Sequence, residues 1–387
     1  MAEYSVNLNS SVYYSGHYWN ELPQVIELIN ERISGSKDCS WEGHFAQRAG
    51  RVFKCALMLN CGNGWVERSL WKQGLISEAV GIDCSESLLQ QARQSAAEDQ
   101  VPVEYVVMDV NAAEFPDRDF DLVVNVGAAH HVASIDKVFR TLCKVLPEDG
   151  WFVSFDYIGP HRNQYSTEAW EAAWALNRSL PEGFRQDLQY PHLPSMLKDD
   201  PTEAIHSELV AGTFDRYFVA DQFVPLGGAV AYPLLTHNAQ LFSAPEGEER
   251  DACIDRIVAA DRDFLASHPG SALFAYFAGR PRKSVLDDEE QLGRWSREED
   301  RREALARESG GKYYPHTAFQ TEYLKRVELQ HELAALRDHR SQLESELNAV
   351  RNGTAYALAH RASQSRLGRW IRSSPRLRSA ALRLMGR

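Results

Sequence analysis

The stretch 51–160 constrains the fold most strongly, because short apolar runs alternate there with segments of helical apolar spacing. This alternation is typical of β-α-β units built around a parallel sheet. The apolar runs are 55–59, 79–82, 103–108, 120–126 and 151–155, and the helical spacing covers 85–97 and 135–146. Two later apolar runs, 216–224 and 272–278, are expected to complete the sheet. The sequence therefore predicts an α/β fold with a mostly parallel sheet.

Changes in composition divide the rest of the chain. We expect an N-terminal helical cap, an α/β domain with an inserted substrate-side segment, a linker, a coiled coil and a basic amphipathic tail. In the same order these zones are 1–50, 51–281 (insertion 161–214), 282–318, 319–352 and 353–387. The coiled coil rests on leucines and one valine at steps of four and three, with Arg340 interrupting the seam: Leu329, Leu333, Leu336, Leu343, Leu347 and Val350. An amphipathic helix packed on its own domain is the alternative.

Charge separates the body of the protein from its tail. The 387 residues carry a net charge of -12, but 353–387 holds eight arginines and no lysine or acid, which leaves about -20 for the remainder. Such an acidic body is not expected to bind nucleic acid. A basic amphipathic tail containing one tryptophan predicts an anionic membrane surface as partner. An RNA-binding arm and a docking segment for an acidic or glycan-assembly protein are the alternatives for the tail.

Targeting signals and cysteine content indicate where in the cell the protein is expected. No secretory signal and no run of 18 apolar residues is visible, and the six cysteines form no CxxC pair. Reduced thiols are the simplest interpretation. We expect a cytoplasmic protein at the inner face of the membrane, and a homo-oligomer formed through the coiled coil.

A glycine-rich turn follows the first apolar run, at Asn60-Cys61-Gly62-Asn63-Gly64. Gly62 and Gly64 let a ligand approach the backbone where a Cβ would collide. The helix that follows presents free N–H groups to such a ligand. A dinucleotide fingerprint would need a third glycine at position 67, where Glu67 stands instead. A carboxylate at the start of the helix is expected to repel a pyrophosphate, which counts against NAD.

Polar side chains close the next three strands in order. Asp83 stands 21 residues after Gly62 and can accept the two hydroxyls of a ribose, while Asp109 can hold an adenine amino group. Each acid taken singly is more often a helix cap, but the ordered set indicates a nucleoside site. The candidate cofactor-binding residues are Asn60, Cys61, Gly62, Gly64, Asp83, Cys84, Asp109, Val110 and Asn125.

These motifs together resemble the class I S-adenosylmethionine-dependent methyltransferases. The resemblance rests on the turn 59–64, the ribose-type segment 81–89, Asp109-Val110, and the later segments 129–132 and 142–150. It implies a seven-stranded Rossmann-like sheet with helical insertions, and S-adenosylmethionine as cofactor. Met58 and Asn60 depart from the family, which commonly has an acid and a glycine there. Asparagine tolerates the left-handed conformation that such a turn needs.

Further segments resemble a subgroup from bacterial surface-polysaccharide and glycan loci. They are 18–20, 155–166, 200–207 and Gly227-Gly228. This resemblance implies O-methylation of a sugar hydroxyl on a glycan or glycolipid. Methylation of a small natural product is the alternative enzyme function, and a non-catalytic scaffold assembled through the coiled coil is the alternative outside enzymes.

Four side chains near the fourth and fifth strand ends are candidates for catalysis: His130, His131, Asp156 and His161. An imidazole has the intrinsic pKa of a general base for a hydroxyl acceptor. Alternatively the histidine pair opens a helix and the other two make loop hydrogen bonds. No dense cluster of metal ligands is visible in the sequence, so no metal is predicted. A metal site built from Asp156 and His161 is the alternative. Tyr165, Trp170 and Trp174 either stack a sugar ring or belong to the core.

Overall fold

The computed structural model describes residues 16–308 apart from 194, 195, 198 and 199. Beyond that it describes 329, 333, 335–345, 347, 348, 353, 361, 362 and 364–376. The chain divides into two compact units, Met1–Lys325 and Arg326–Arg387.

A seven-stranded mixed sheet forms the centre of the first unit, as predicted. Its strands are β1 Phe53–Leu59, β2 Ile76–Asp83, β3 Val103–Val107, β4 Leu122–Val126, β5 Trp151–Tyr157, β6 Phe218–Gly227 and β7 Phe274–Pro281. The spatial order is β3-β2-β1-β4-β5-β7-β6, and β7 runs antiparallel to the other six strands. The order reverses between β1 and β4, and ligands of open α/β sheets bind outside the carboxyl ends of strands at such a switch point.

Helices cover both faces of the sheet. They are α1 Pro23–Ser34, α2 Trp41–Ala49, α3 Trp65–Lys72, α4 Glu86–Asp99, α5 Ile135–Val145, α6 Thr167–Ser179, α7 Ser207–Tyr217, α8 Ala231–Leu235, α9 Ala239–Ser243, α10 Glu248–Ser267 and α11 Glu289–Glu308. One core cluster lies under α1–α4, α6 and α8–α10, and the other lies under α5 and α7. Tyr165 and Trp170 belong to the first cluster, with parallel rings 6.1 Å apart, so they pack in the core.

The apolar run predicted as a strand over 216–224 begins later in the structure. Arg216 and Tyr217 are the last residues of α7, and both donate hydrogen bonds to the Asp136 carboxylate, at 2.9 and 2.8 Å. These bonds hold the end of α7 against α5. The strand β6 therefore starts at Phe218 and extends to Gly227.

Part of the expected linker 282–318 is a helix attached to the domain. The Glu299 carboxylate of α11 accepts hydrogen bonds from the backbone N–H of Asp136 and of Lys137, at 2.7 and 3.0 Å. Ser134 Oγ donates to Glu303 at 2.6 Å. Glu299 and Glu303 thereby supply acceptors at the free N–H end of α5, so α11 belongs structurally to the first unit.

The second unit is described in part. Residues 335–345 are helical, and Arg340 and Glu344 form an ion pair at 3.6 Å along this helix. The leucines of the expected coiled-coil seam, Leu329 to Leu347, are exposed in the single chain, and Val350 lies outside the described residues. A further helix covers Arg366–Ser373, with Trp370 exposed. In the described part of the chain, no helix is long and apolar enough to cross a bilayer.

Candidate active site

The glycine turn adopts the left-handed backbone that its sequence predicts. Asn60, Gly62 and Gly64 have φ values of 44°, 58° and 73°. The expectation that asparagine supports this turn in place of a glycine is confirmed. Gly64 is also the residue before α3, and a Cβ there would overlap the Tyr105 hydroxyl. The turn therefore carries the chain from β1 into α3 with bare backbone at its surface.

Asp83 fastens this turn from the tip of β2. One carboxylate oxygen accepts the Gly62 N–H at 2.9 Å and the other accepts the Ser85 N–H at 2.8 Å. Burial raises the pKa of Asp83, against the opposing effect of these backbone hydrogen bonds. A carboxylate has about four acceptor positions, so two bonds leave capacity for two ligand hydroxyls.

The remaining predicted cofactor residues of this half lie around the same edge. Asp109 is exposed after β3, and its Oδ1 accepts from both the backbone N and Nδ2 of Asn111 at 2.9 Å. Cys84 is exposed after β2, whereas Cys61 and Val110 are buried. The tips of β1, β2 and β3 thus meet where a nucleoside is expected.

Glu67 does not face a ligand, contrary to the assumption that its charge would repel a pyrophosphate. Its side chain is fully buried, and a Cβ at Gly64 would lie 2.8 Å from its Oε1. Burial raises the pKa of Glu67 to about 7. The missing third glycine still separates this turn from the dinucleotide fingerprint, but electrostatic repulsion is not the reason.

Asp156 lies on β5 with no solvent exposure and organises the segment after β4. Its carboxylate accepts hydrogen bonds from Asn125 Nδ2, from His130 Nδ1, and from the backbone N–H of Ala128, Ala129 and Tyr157. Burial alone would raise the pKa of Asp156, but the His130 charge and these donors hold it below its usual value. Asn125, predicted to bind cofactor, joins Asp156 here, so both act as supports in this geometry.

The two histidines of the segment 129–131 turn toward a third side chain, Glu203. The distances from Glu203 Oε2 are 3.8 Å to His130 Nε2 and 3.6 Å to His131 Nε2. Burial would lower the pKa of His130, but Asp156 outweighs it and raises the pKa to about 9. Burial and the neighbouring His130 lower the pKa of His131. The pair therefore combines a charged and a neutral imidazole at neutral pH.

His161 belongs to a different group of side chains. Its Nε2 lies 3.4 Å from Glu208, and its ring meets that of His206 edge-on at 5.9 Å. Among the described residues, no hydrogen bond or ion pair joins it to Asp156 or His130. Burial lowers the pKa of His161 to about 4, so it is neutral at neutral pH.

The sequence analysis did not single out Glu203, Thr202 or Asn163 as site residues. Thr202 Oγ1 lies 3.2 Å from His131 Nδ1, and Asn163 Nδ2 donates to Glu203 Oε1 at 3.0 Å. Both segments, 155–166 and 200–207, appeared in the resemblance to glycan-locus proteins. Because both segments resemble the same proteins, their pairing was the signal that could have predicted the contact between Asn163 and Glu203.

Comparison with known proteins supports the fold and the cofactor. Residues 57–154 match the family described as "Methyltransferase domain". The matched segment runs from β1 through β5 and includes the glycine turn, Asp83 and Asp109. S-adenosylmethionine is the cofactor that this match implies.

Curated relatives of the methyltransferase domain are distant. The uncharacterized methyltransferase YcgJ of Bacillus subtilis is 26% identical over 157 residues, covering 35% of this chain and 60% of that protein. A ubiquinone biosynthesis O-methyltransferase of Coxiella burnetii is 28% identical over 144 residues, covering 37% and 59%. This chain thus spans about 60% of the length of these relatives. The crystal structure of YcgJ, 18% identical, covers 62% of this chain and 97% of its own, with a TM-score of 0.37, which is too low to support a conclusion.

The residues at the carboxyl ends of β1, β2 and β3 fit S-adenosylmethionine. The turn offers bare backbone at Gly62, and the Asp83 carboxylate beside it retains acceptor capacity for ribose hydroxyls. The exposed Asp109 carboxylate is available one strand further along. When bound, the cofactor supplies a methyl group on a positively charged sulfur. The residues of this edge would bind and orient it.

Proposed function

We propose that the protein is an S-adenosylmethionine-dependent O-methyltransferase whose acceptor is a sugar hydroxyl of a glycan or glycolipid. The observation that carries the proposal is the division of one sheet edge into two halves. The cofactor half, at the tips of β1–β3, holds the glycine turn and Asp83. The acceptor half, after β4 and β5, holds His130, His131 and Glu203.

Positioning accounts for much of such a reaction. Methyl transfer is an in-line displacement, and fixing two reactants in line is worth up to about 7–11 kcal/mol. The Asp83–Gly62 bond fixes the cofactor half. The Asp156 hydrogen bonds fix the backbone of 128–129 and the His130 ring in the acceptor half. In both halves, hydrogen bonds within the protein therefore hold the groups that would contact the reactants.

Phenolic side chains surround the acceptor half. The His130 ring meets Tyr157 edge-on at 5.9 Å. Burial and the nearby Glu203 charge raise the pKa of the hydroxyls of Tyr18 and Tyr232, which keeps them protonated as hydrogen-bond donors. Aromatic faces with hydroxyl donors suit a polyhydroxylated ring.

A phenolic acceptor is the second candidate. The observation favouring it is the similarity to ubiquinone biosynthesis O-methyltransferases. A phenol and a sugar both present a hydroxyl, so the two candidates share the acceptor half described above and differ in which small molecule fits it.

Calorimetric titration of the full chain with S-adenosylmethionine tests the first step. We expect binding in the wild type and at least a tenfold loss in Asp83→Asn, which removes the charge but keeps the shape. Asp255→Asn, at an exposed position of α10, is the matched control and should bind as the wild type does. Absence of heat with the wild-type chain would refute cofactor use.

Labelled methyl transfer distinguishes the acceptors. We expect the labelled methyl group of S-adenosylmethionine to appear in a saccharide fraction. The rate of methyl transfer to catechol-type phenols should be lower. Preferential labelling of phenols would favour the second candidate. Cofactor binding without transfer to either class would support the non-catalytic scaffold instead.

We also propose that the second unit associates with a second copy of this chain through its leucine seam. Leu336 and Leu343 are 65% and 50% exposed. Exposure of these apolar side chains to water is unfavourable, and a parallel or antiparallel partner helix would bury them. Sedimentation velocity of the full chain should show a dimer or larger oligomer. Leu343→Lys should dissociate it, and Gln342→Lys, one position off the seam, should not. A wild-type monomer at all concentrations would exclude this proposal.

For the basic tail we propose an anionic membrane surface, placing the enzyme at the cytoplasmic face. In the helix Arg366–Ser373, Arg366 and Arg369 are exposed beside Trp370. Each arginine near an anionic bilayer contributes about 1 kcal/mol. Vesicles containing phosphatidylserine should sediment the full chain, and Arg366→Glu/Arg369→Glu should weaken this. Equal binding to neutral vesicles, or none to anionic ones, would contradict the proposal and favour a protein partner.

A further inference from the structure

We propose that His130, His131 and Glu203 form a binding site for one divalent transition-metal ion in the acceptor half. Each residue offers one ligand atom, and the three atoms all lie within 4.8 Å of one another. His130 is buried and the other two are half-buried, so the group lies inside the protein and still borders solvent.

The separations between ligand atoms suit a small ion. Glu203 Oε2 lies 3.8 Å from His130 Nε2 and 3.6 Å from His131 Nε2. Ligands at zinc-type bond lengths of about 2.1 Å are separated by roughly 3.0–3.4 Å. Movements of a few tenths of an ångström would therefore bring Glu203 Oε2 to coordination distance with each imidazole, and the ligand nitrogens of the two imidazoles lie within 4.8 Å of each other.

Hydrogen bonds to the Nδ1 atoms of His130 and His131 orient the two rings so that each Nε2 atom can contact the ion. His130 Nδ1 is held at 2.5 Å by Asp156, which directs Nε2 outward. The ion would displace the proton that Nε2 carries in the metal-free protein, as metal binding to histidine requires. Thr202 Oγ1 donates to Asp200 at 2.9 Å, so toward His131 Nδ1 it acts as the acceptor. The proton of His131 is thereby placed on Nδ1, and the lone pair of Nε2 faces Glu203. Carboxylate and hydroxyl partners behind metal-binding histidines are the usual arrangement in proteins.

Glu203 is held in a corresponding way. Its Oε1 accepts from Asn163 Nδ2 at 3.0 Å, which leaves Oε2 directed toward the imidazoles. Arg162 Nη1 donates to the backbone carbonyl of Glu203 at 3.0 Å. Arg162 and Asn163 both have left-handed backbones, with φ of 56° and 54°. The chain accepts this conformational cost at the two residues that hold Glu203 in place.

The donor set indicates which class of ion would bind. Two imidazole nitrogens and one carboxylate oxygen suit Zn²⁺, Fe²⁺ or Co²⁺, whereas Mg²⁺ and Ca²⁺ prefer all-oxygen sites. Three protein ligands leave coordination positions open, as in catalytic rather than structural sites.

The role of the ion rests on the proposed function. An acceptor hydroxyl beside the positive charge loses its proton to solvent more readily. Its oxygen then forms the bond to the methyl carbon while the carbon–sulfur bond breaks and its electron pair stays on sulfur. The products are a methyl ether, the neutral thioether of the cofactor and one released proton. In this role His131 orients the acceptor and does not take up its proton.

Titration of the chelator-treated full chain with Co²⁺ tests the site directly, through visible absorption and calorimetry. We expect one ion per chain, displaced by Zn²⁺. Glu203→Gln and His131→Ala should each weaken binding at least a hundredfold, and Thr202→Val by about 10–100-fold because it releases the His131 ring. Glu208→Gln, which alters only the neighbour of His161, is the matched control.

Several outcomes would overturn the site. Absence of Co²⁺ binding, or equal affinity in wild type and Glu203→Gln, would show that the three side chains form an ion network without a metal. Thermal unfolding of each variant shows whether it is folded, and His131→Gln gives a second, smaller change at the same ligand.

The failure of the site and the failure of the proposed function are distinguishable. Co²⁺ binding in a chain that does not bind S-adenosylmethionine would leave the metal site and remove the methyltransferase function. Methyl transfer that is unchanged after chelation would overturn the role assigned to the ion.

Discussion

The cofactor half and the acceptor half occupy one sheet edge but are assembled differently. In the cofactor half, Gly62 and Asp83 are 21 residues apart, and the Gly62 N–H donates a hydrogen bond to the Asp83 carboxylate. In the acceptor half, His131 and Glu203 are separated by 72 positions and are brought together by an inserted segment. The first half is built from neighbouring β-α units, and the second depends on a long-range contact. Because the two halves are assembled separately, we expect changes in that contact to leave cofactor binding intact.

The largest effect is expected from Asp156→Ala in the acceptor half. The change leaves the buried His130 imidazolium and three backbone N–H groups without their acceptor. Breaking a buried charge pair costs about 3–5 kcal/mol of unfolding free energy. Urea denaturation measures this. A loss below about 1 kcal/mol would mean that the acceptor half does not depend on Asp156.

Glu67→Gln should stabilise the cofactor half at alkaline pH. Burial raises the folded-state pKa of Glu67 to about 7 from an ordinary 4.5. The folded protein therefore holds this proton where the unfolded chain has lost it, so the wild type loses stability as the pH rises from 4.5 to 7. The variant lacks this loss and should be more stable by about 3 kcal/mol above pH 7, with no such advantage at pH 4. A pH-independent difference would show that Glu67 does not titrate this way.

Gly64→Ala tests whether the turn is limited by backbone conformation or by packing. Gly64 and Gly74 have nearly equal φ, 73° and 71°, but a Cβ at Gly74 meets nothing within 4 Å. Gly64→Ala and Gly74→Ala should each lower the free energy of unfolding by about 1–2 kcal/mol, because alanine disfavours the left-handed backbone. Gly64→Ala should cost about 1–3 kcal/mol more through collision with Tyr105 and Glu67, and should weaken S-adenosylmethionine binding. Equal costs in thermal unfolding would argue that packing at the turn is unimportant.

Thr202→Val should produce the smallest change in stability and should separate the two halves. It removes the two hydrogen bonds of Thr202 Oγ1, to His131 and to Asp200, each worth about 1 kcal/mol. We expect slower transfer to the acceptor with the affinity for S-adenosylmethionine unchanged. A parallel loss of cofactor affinity would indicate that the halves are coupled.

Sequence reasoning predicts the cofactor half well because its information is local. Apolar runs, the glycine turn and Asp83 follow one another within single β-α units, and the structure arranges them as expected. The acceptor half requires knowing how the insertion folds back, and no periodicity encodes the Asn163–Glu203 contact. For the same reason a charged stretch at 289–308 gave no indication of binding α5, since Glu299 acts through backbone N–H groups that only the folded helix end presents.

The two oxygens of Glu203 serve different segments of the protein. Oε1 holds the segment containing Asn163, and Oε2 faces His130 and His131. Ligand binding at Oε2 and ordering of the Asn163 segment at Oε1 are thermodynamically linked, and such linkage is reciprocal. A ligand that engages Oε2 should make the segment around Asn163 exchange its amide hydrogens more slowly, and a change that loosens this segment should weaken the ligand by the same factor.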